Sequence, residues 1–293
     1  MKTQNSRKFN KKSHLLTIVL VIIFAAFMGI GGVLFNAAGA EQPALQSGNI
    51  MADGNATYAR AKAEEAERKA KLAIVIDDFG MDRRGVDEML SVEAPLTIAV
   101  MPGLDFSTED AERAHANGHE VILHMPMENS RYMPPEYYGP KVVRNNMTES
   151  EAVDLVKDCI NSIPYAVGMN IHMGTGVSRN EKLITAIMNE MKSEGKYFLD
   201  SKTIEETVCP KCARETGVKF YLRDVFLEPS GTPNETLAYN YIIEAGEMAK
   251  KNGSAIAIGH VGPVGNDGTA KAIKKALKAL KNQGVEVVAL SEL

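Results

Sequence analysis

Residues 72–80, LAIVIDDFG, decide how this chain is read. Five apolar residues, three of them β-branched, run without polar interruption into two adjacent carboxylates, an aromatic and a glycine. An unbroken apolar run of this length reads as a strand buried on both faces. Asp77 and Asp78 then stand at its end, where two neighbouring anions repel each other unless a cation offsets them.

The same grammar repeats outward from this strand. Apolar runs at 96–101, 120–123, 166–169, 197–199, 218–222, 255–258 and 285–290 alternate with helix-like segments at about 81–91, 107–117, 148–161, 179–194, 203–216, 233–252 and 268–283. Thr148-Glu-Ser-Glu151 has the form of a capping box. Gly118, Gly195, Gly217, Gly253 and Gly284 each stand where a helix C-cap glycine belongs. Strand–helix alternation with short connections implies a parallel sheet with helices outside it. Eight strand candidates suit a closed or nearly closed (β/α) barrel, with an open doubly wound sheet as the alternative; no GxGxxG follows the first strand, so a dinucleotide fold has no support. One connection is long: residues 125–147, MPMENSRYMPPEYYGPKVVRNNM, hold four prolines and three tyrosines without periodicity, the character of a binding loop or lid.

The N-terminus obeys different rules. Lys2, Arg7, Lys8, Lys11 and Lys12 precede an apolar run at 15–35, and Glu41 is the first acidic residue. At about 1.5 Å per residue such a run nearly crosses a hydrocarbon core of about 30 Å, and the preceding positive charge orients the remainder outward. Residues 1–40 therefore read as a signal-anchor or, with Ala38-Gly39-Ala40 as a small-x-small cleavage site, a signal peptide. Residues 41–70 read as a charged linker and 71–293 as the functional domain, extracytoplasmic under both readings and attached to the inner membrane if the helix is uncleaved. A net charge of −4 gives no electrostatic case for nucleic acid. Of the three cysteines, Cys159 sits in a helical pattern, while Cys209-Pro-Lys-Cys212 is open to a structural, redox or metal-binding role.

Chemistry gathers at the strand ends. Asp77 and Asp78 end the first strand, His124 the third, His172 the fourth, Asp200 the fifth, Arg223 and Asp224 the sixth, and His260 the seventh. In a parallel barrel these ends meet on one face. Three of the six histidines occupy equivalent places there. Two carboxylates with two or three imidazoles form a donor set for a borderline divalent metal, which would polarise a carbonyl and lower the pKa of a bound water toward about 7.

The blocks IDDFG, GHEVILHMPME, NIHMGTG, FLDSKT, RDVFLE and AIGH, in this order, resemble the divergent polysaccharide deacetylase family, a distant branch of the NodB-like carbohydrate esterases. The resemblance spans about residues 71–293. It implies a distorted seven-stranded (β/α) barrel, of the glycoside hydrolase and deacetylase type, holding a divalent metal, usually zinc. It makes Asp77 the base, Asp78 and His124 metal ligands, and His260 the acid. The family's second metal histidine belongs four residues after the first, where this chain has Glu128; either Glu128 is a ligand or His172 supplies the imidazole, and we favour His172. Asp200, Arg223 and Asp224 correspond loosely to residues that orient the late histidine, and Glu128 is left to bind a ligand or a sugar.

The expected function is that of a metal-dependent hydrolase of the cell envelope that removes acyl groups from a polysaccharide or peptidoglycan-type glycan. The alternative is a non-catalytic glycan-binding or envelope-assembly module on the same barrel. Glycoside hydrolysis by the carboxylate pair ranks third, because adjacent residues of a regular strand point in different directions.

Overall fold

The computed structural model describes residues 69–293; the expected signal or anchor helix and all but the end of the linker lie outside the described residues. Among the described residues no helix is long and apolar enough to cross a membrane.

Among the described residues there are nine strands: β1 (Ala70–Phe79), β2 (Thr97–Val100), β3 (Glu120–Met127), β4 (Ala166–Met173), β5 (Tyr197–Asp200), β6 (Phe220–Leu222), β7 (Val225–Phe226), β8 (Ser254–His260) and β9 (Val285–Val288). Seven α-helices connect them: α1 (Val86–Leu90), α2 (Ser107–Ala116), α3 (Glu149–Ser162), α4 (Glu181–Ser193), α5 (Cys209–Thr216), α6 (Glu235–Asn252) and α7 (Gly262–Asn282). The strands lie in the order β6-β5-β4-β3-β2-β1-β8-β7, every pair parallel. The two edge strands, β6 and β7, are consecutive in the chain and only Arg223 and Asp224 separate them. The sheet is thus a curled parallel wall whose rims meet at a two-residue link, with no β6–β7 ladder to close it.

This refines the expected seven-stranded barrel. The eight apolar runs all form strands, and β7 is an extra strand too short to show a period. β9 occupies no additional position around the wall. It pairs with Ala70–Ala73 of β1, while β2 pairs with β1 from Val75 onward, so the two share one flank of the central strand and β8 holds the other.

Period-two alternation sorts the strand residues between two cores. Leu72, Ile74 and Ile76 face the helices in the outer core. Ala73, Val75, Ala99, Ile122, Tyr197, Leu199, Ile256 and Ile258 fill the lumen. The helices seat where their caps predict. Thr148 and Glu151 form the reciprocal capping box of α3, and the five proposed C-cap glycines all adopt positive φ. α7 begins earlier than its periodicity suggests, at Gly262, across a break at Asn266 (φ 48°, ψ −148°). The long connection after β3 holds a single 3-10 turn, Pro135–Tyr137, and returns to the sheet through a bridge between Met127 and Val143.

Candidate active site

The lumen parity continues upward into the polar residues. The next inward position after Ala73 and Val75 is Asp77; after Ile122 it is His124; after Leu199, Ser201; after Ile256 and Ile258, His260. Asn170 and His172 share one parity on β4. These side chains converge on a cleft of about 440 Å³ at the C-terminal rim, lined by Asp77, His124, His172, Ser201, Arg223 and His260 among others.

Asp78 has the wrong parity for the lumen and reaches it by a distortion. The β1–β2 register shifts between Ile76 and Phe79, and Asp78 adopts φ 70°, a left-handed conformation that is costly for a residue with a Cβ. The following turn is held from outside, where the Gly80 N–H donates to the buried Asp110 carboxylate of α2 (2.9 Å). The sequence expectation that the two aspartates diverge therefore fails. Both approach His124, with Asp77 Oδ1 3.7 Å from Nδ1 and Asp78 Oδ1 3.3 Å from Nε2.

Asn170, fully buried, fixes the chemistry of this group. Its amide nitrogen donates to Asp77 Oδ1 (2.7 Å) and to Ser201 Oγ (3.2 Å). Its amide oxygen is thereby turned to His124 Nδ1 (2.7 Å), which must donate. His172 Nε2 likewise donates to the main-chain carbonyl of Tyr137 (2.8 Å). In the neutral imidazoles the remaining nitrogens, His124 Nε2 and His172 Nδ1, carry lone pairs, yet they face each other at 3.0 Å. Asp78 Oδ1 completes the cluster, 3.2 Å from His172 Nδ1; it is buried and has no hydrogen-bond partner. Three lone-pair atoms directed at one point are adverse unless a proton or a metal cation lies among them. The donor types suit zinc or a similar borderline ion, and the partners on the far nitrogens are those that orient metal-binding histidines. Among the described residues, Asp78, His124 and His172 are the one group of three with ligand atoms within 4.8 Å of one another. Burial works to raise the Asp78 pKa, but the two imidazoles outweigh it and hold the carboxyl well below its ordinary range. Burial raises the Asp77 carboxyl, against the opposing pull of His124 and His260.

His260 pairs in register with Asp77 across the β1–β8 ladder. Its Nδ1 meets the carboxylate of Glu228 (3.0 Å), a residue only 2% exposed that also accepts from Thr269 Oγ1. Nε2 is left as the ring atom not engaged by Glu228. Burial opposes protonation of His260, but Glu228 and the charges of Asp78 and Asp77 prevail and raise its pKa to about 9. Two glycines leave room for this pair, Gly259 beside the carboxylate and Gly265 beside the His260 main chain. A Cβ on Gly259 would lie 3.2 Å from Glu228 Oε1, and one on Gly265 would lie 1.7 Å from the His260 carbonyl oxygen.

The remaining predicted residues divide. Arg223 does line the cleft, with Nε and Nη2 donating to the carbonyls of Ser201 (2.7 Å) and Lys202 (2.9 Å) and its guanidinium 5.0 Å from the Phe226 ring centroid. Asp200 and Asp224 are not the orienting partners of His260. Asp200 has outward parity, is buried and accepts from the Lys202 N–H; Asp224 accepts from the Ile256 N–H and bridges the rim to β8. Glu128 stands outside the metal cluster, accepting from the Asn145 N–H (2.8 Å) beside Arg144. The residues that sequence reasoning passed over are Glu228, Asn170 and Ser201. Each lies within or beside a block already singled out, RDVFLE, NIHMGTG and FLDSKT, and shares lumen parity with a residue that was chosen or with the core below it. Cys159, Cys209 and Cys212 are buried free thiols, and burial raises the pKa of each.

A curled parallel sheet with an Asp–His–His cluster and a flanking Asp and His–Glu pair at its rim defines the class to which the chain is assigned. Residues 74–293 match the model of the divergent polysaccharide deacetylase family, and the chain belongs to that family. It is 38% identical over 193 residues to the uncharacterized protein YibQ of Escherichia coli (strain K12), an alignment covering 66% of this chain but only 59% of YibQ. It is 32% identical over 196 residues to an uncharacterized protein of Haemophilus influenzae, covering 67% of this chain and 68% of that one. The crystal structure of the uncharacterized protein ATU2773 from Agrobacterium tumefaciens C58 superposes with a TM-score of 0.70 at 20% identity, over 77% of this chain and 89% of that chain, and so shares its fold.

Proposed function

We propose that the protein is a metal-dependent hydrolase of the cell envelope that removes acetyl groups from a polysaccharide or peptidoglycan-type glycan. The observation that carries this reading is the cluster of Asp78 Oδ1, His124 Nε2 and His172 Nδ1, with Asp77 and the His260–Glu228 pair beside it in one cleft. Asp78, His124 and His172 would hold the ion, with zinc the natural candidate for this donor set. Bound there, a divalent cation would polarise the acyl carbonyl and make water a nucleophile near neutral pH.

The chain's own residues supply the proton transfers. Asp77, held at Oδ1 by Asn170, accepts a proton from the attacking water. His260, whose protonated form Glu228 favours, donates from Nε2 to the departing amine or alkoxide while Glu228 retains the proton on Nδ1. Arg223 and Ser201 line the wall on which the acylated sugar is aligned. Bringing both aspartates into one site removes one objection to glycoside hydrolysis, but Asp78 lies against two imidazoles instead of facing the cleft as an independent carboxylate. The basic cluster and apolar run near the N-terminus favour an extracytoplasmic site of action, anchored at the inner membrane or released.

The test pairs metal binding with turnover. Purified protein is expected to bind one zinc per chain and to release acetate from an acetylated glycan, and Asp77→Asn is expected to keep the zinc and lose at least about a hundredfold in rate. Bound zinc without acetate release from any acetylated glycan supplied would overturn the hydrolase and leave a glycan-binding module.

A further inference from the structure

The segment after β3 has a feature that acyl hydrolysis does not use. It is tied down at several points. The Asn129 N–H donates to Tyr138 Oη (3.0 Å) and the Ser130 N–H to Thr175 Oγ1 (3.0 Å). The Asn145 N–H donates to Glu128 Oε2 (2.8 Å), and main-chain bonds join Val143 to Pro126 and Glu128. A loop fastened in this way has no need to leave aromatic rings in water. Yet Tyr132 is 85% exposed and Tyr137 51%, and among the described residues only Tyr165 is a comparably exposed aromatic. Tyr132 lines a second cavity of about 460 Å³, together with Asn129, Arg131, Pro135, Tyr138 and Arg144 among others.

This cavity adjoins the catalytic cleft. The turn Pro135–Tyr137 forms the partition: Pro135 lines the second cavity, and the Tyr137 carbonyl accepts from His172 Nε2, whose ring lines the first. A flat aromatic face beside amide and guanidinium donors matches a pyranose, which has an apolar C–H face and a rim of hydroxyls.

We propose that residues 129–145 form a second carbohydrate subsite, which binds a further sugar unit of the glycan whose acyl group lies in the catalytic cleft, with Tyr132 as its stacking platform. The proposal rests on the glycan-deacetylase reading for the identity of its occupant, and it makes the protein a reader of chain length: a polymer spans both cavities, a disaccharide only one.

The test measures binding, so that it is independent of turnover. Affinities of acetylated chito-oligosaccharides of two and six sugars are measured by calorimetry and saturation-transfer NMR in the zinc-loaded Asp77→Asn protein, which does not consume them. The hexamer is expected to bind about tenfold more tightly than the dimer. Adding Tyr132→Ala is expected to abolish that advantage while leaving dimer affinity unchanged, and Tyr132→Phe to retain it. Tyr132 is exposed, so its replacement leaves the folded core intact. The absence of a length advantage, or one that survives Tyr132→Ala, overturns the subsite. A Tyr132-dependent length advantage in a protein that releases no acetate keeps the subsite and removes the hydrolase; acetate release without any length advantage does the reverse.

Discussion

Asn170 shows how one buried amide sets two roles. Because its nitrogen faces Asp77 and its oxygen faces His124 Nδ1, it fixes both the His124 tautomer and the position of the carboxylate beside it. Outer partners of metal ligands typically contribute about 10–100-fold in metal affinity. Asn170→Leu is accordingly expected to weaken zinc binding by about that factor, measured by competition with a chromophoric chelator. Glu228 acts in the same way on His260. Without a cation to offset Asp78, the His260 pKa is raised to about 9, so the alkaline limb of the rate profile is expected above the ordinary histidine value of about 6.5 and no higher than about pH 9. Glu228→Gln removes the charge that raises it, and the limb should move toward the ordinary histidine value of about 6.5. Stability has the same sign. A raised folded-state pKa stabilises the fold fully below about pH 6.5, and the contribution is lost as pH rises through about 9. The wild-type urea midpoint should therefore fall across that window more steeply than that of Glu228→Gln.

At the scale of the element, the strands deliver the site by parity and one distortion. Asp77, His124, His172 and His260 arrive on regular strands; Asp78 arrives because β1 breaks register and turns left-handed at its end. The helix after β8 must then approach the strand closely, which Gly265 permits. Gly265→Ala would force its methyl against the His260 carbonyl and is expected to destabilise the fold by about 1–3 kcal/mol while displacing the imidazole. Urea unfolding and the alkaline limb of the pH profile report the two effects together. Thr148→Ala removes the capping box of α3, a helix that does not line the cleft. A loss of about 1 kcal/mol with unchanged zinc affinity is expected there, and it separates general stability from the site.

For the whole molecule, the candidate metal cluster clasps three strands. Asp78 belongs to β1, His124 to β3 and His172 to β4, so an ion bound between them favours the folded sheet over the open chain. At free zinc about a hundredfold above the dissociation constant, the folded state should gain about 2.7 kcal/mol. The thermal midpoint is expected to rise with zinc in wild type and to stay fixed in His172→Ala. A zinc-independent midpoint in wild type would remove the metal from the proposal.

Local chemistry wrote much of this into the chain. The apolar runs, the capping box, the cap glycines and the polar residues at successive strand ends are short-range patterns, and they suffice for a parallel sheet with a polar rim and for the choice of Asp77, Asp78, His124, His172 and His260. Even the residues passed over, Asn170, Ser201 and Glu228, obey the same period of two. Which neighbour each side chain meets was decided by the tertiary structure alone. His172 was favoured over Glu128 on ligand type alone, and the β3–β4 register then set His172 beside His124 while the Asn145 N–H drew Glu128 away. Asp200 and Asp224 looked like partners of His260 until outward parity and the rim link directed them to main-chain amides, leaving Glu228 in contact. The left-handed turn at Asp78 falls where the β2 register shifts, the β8 ladder ends and the Asp110 carboxylate takes the Gly80 N–H. A sequence specifies periodicity within a segment, whereas register and curl come from packing between segments distant in the chain.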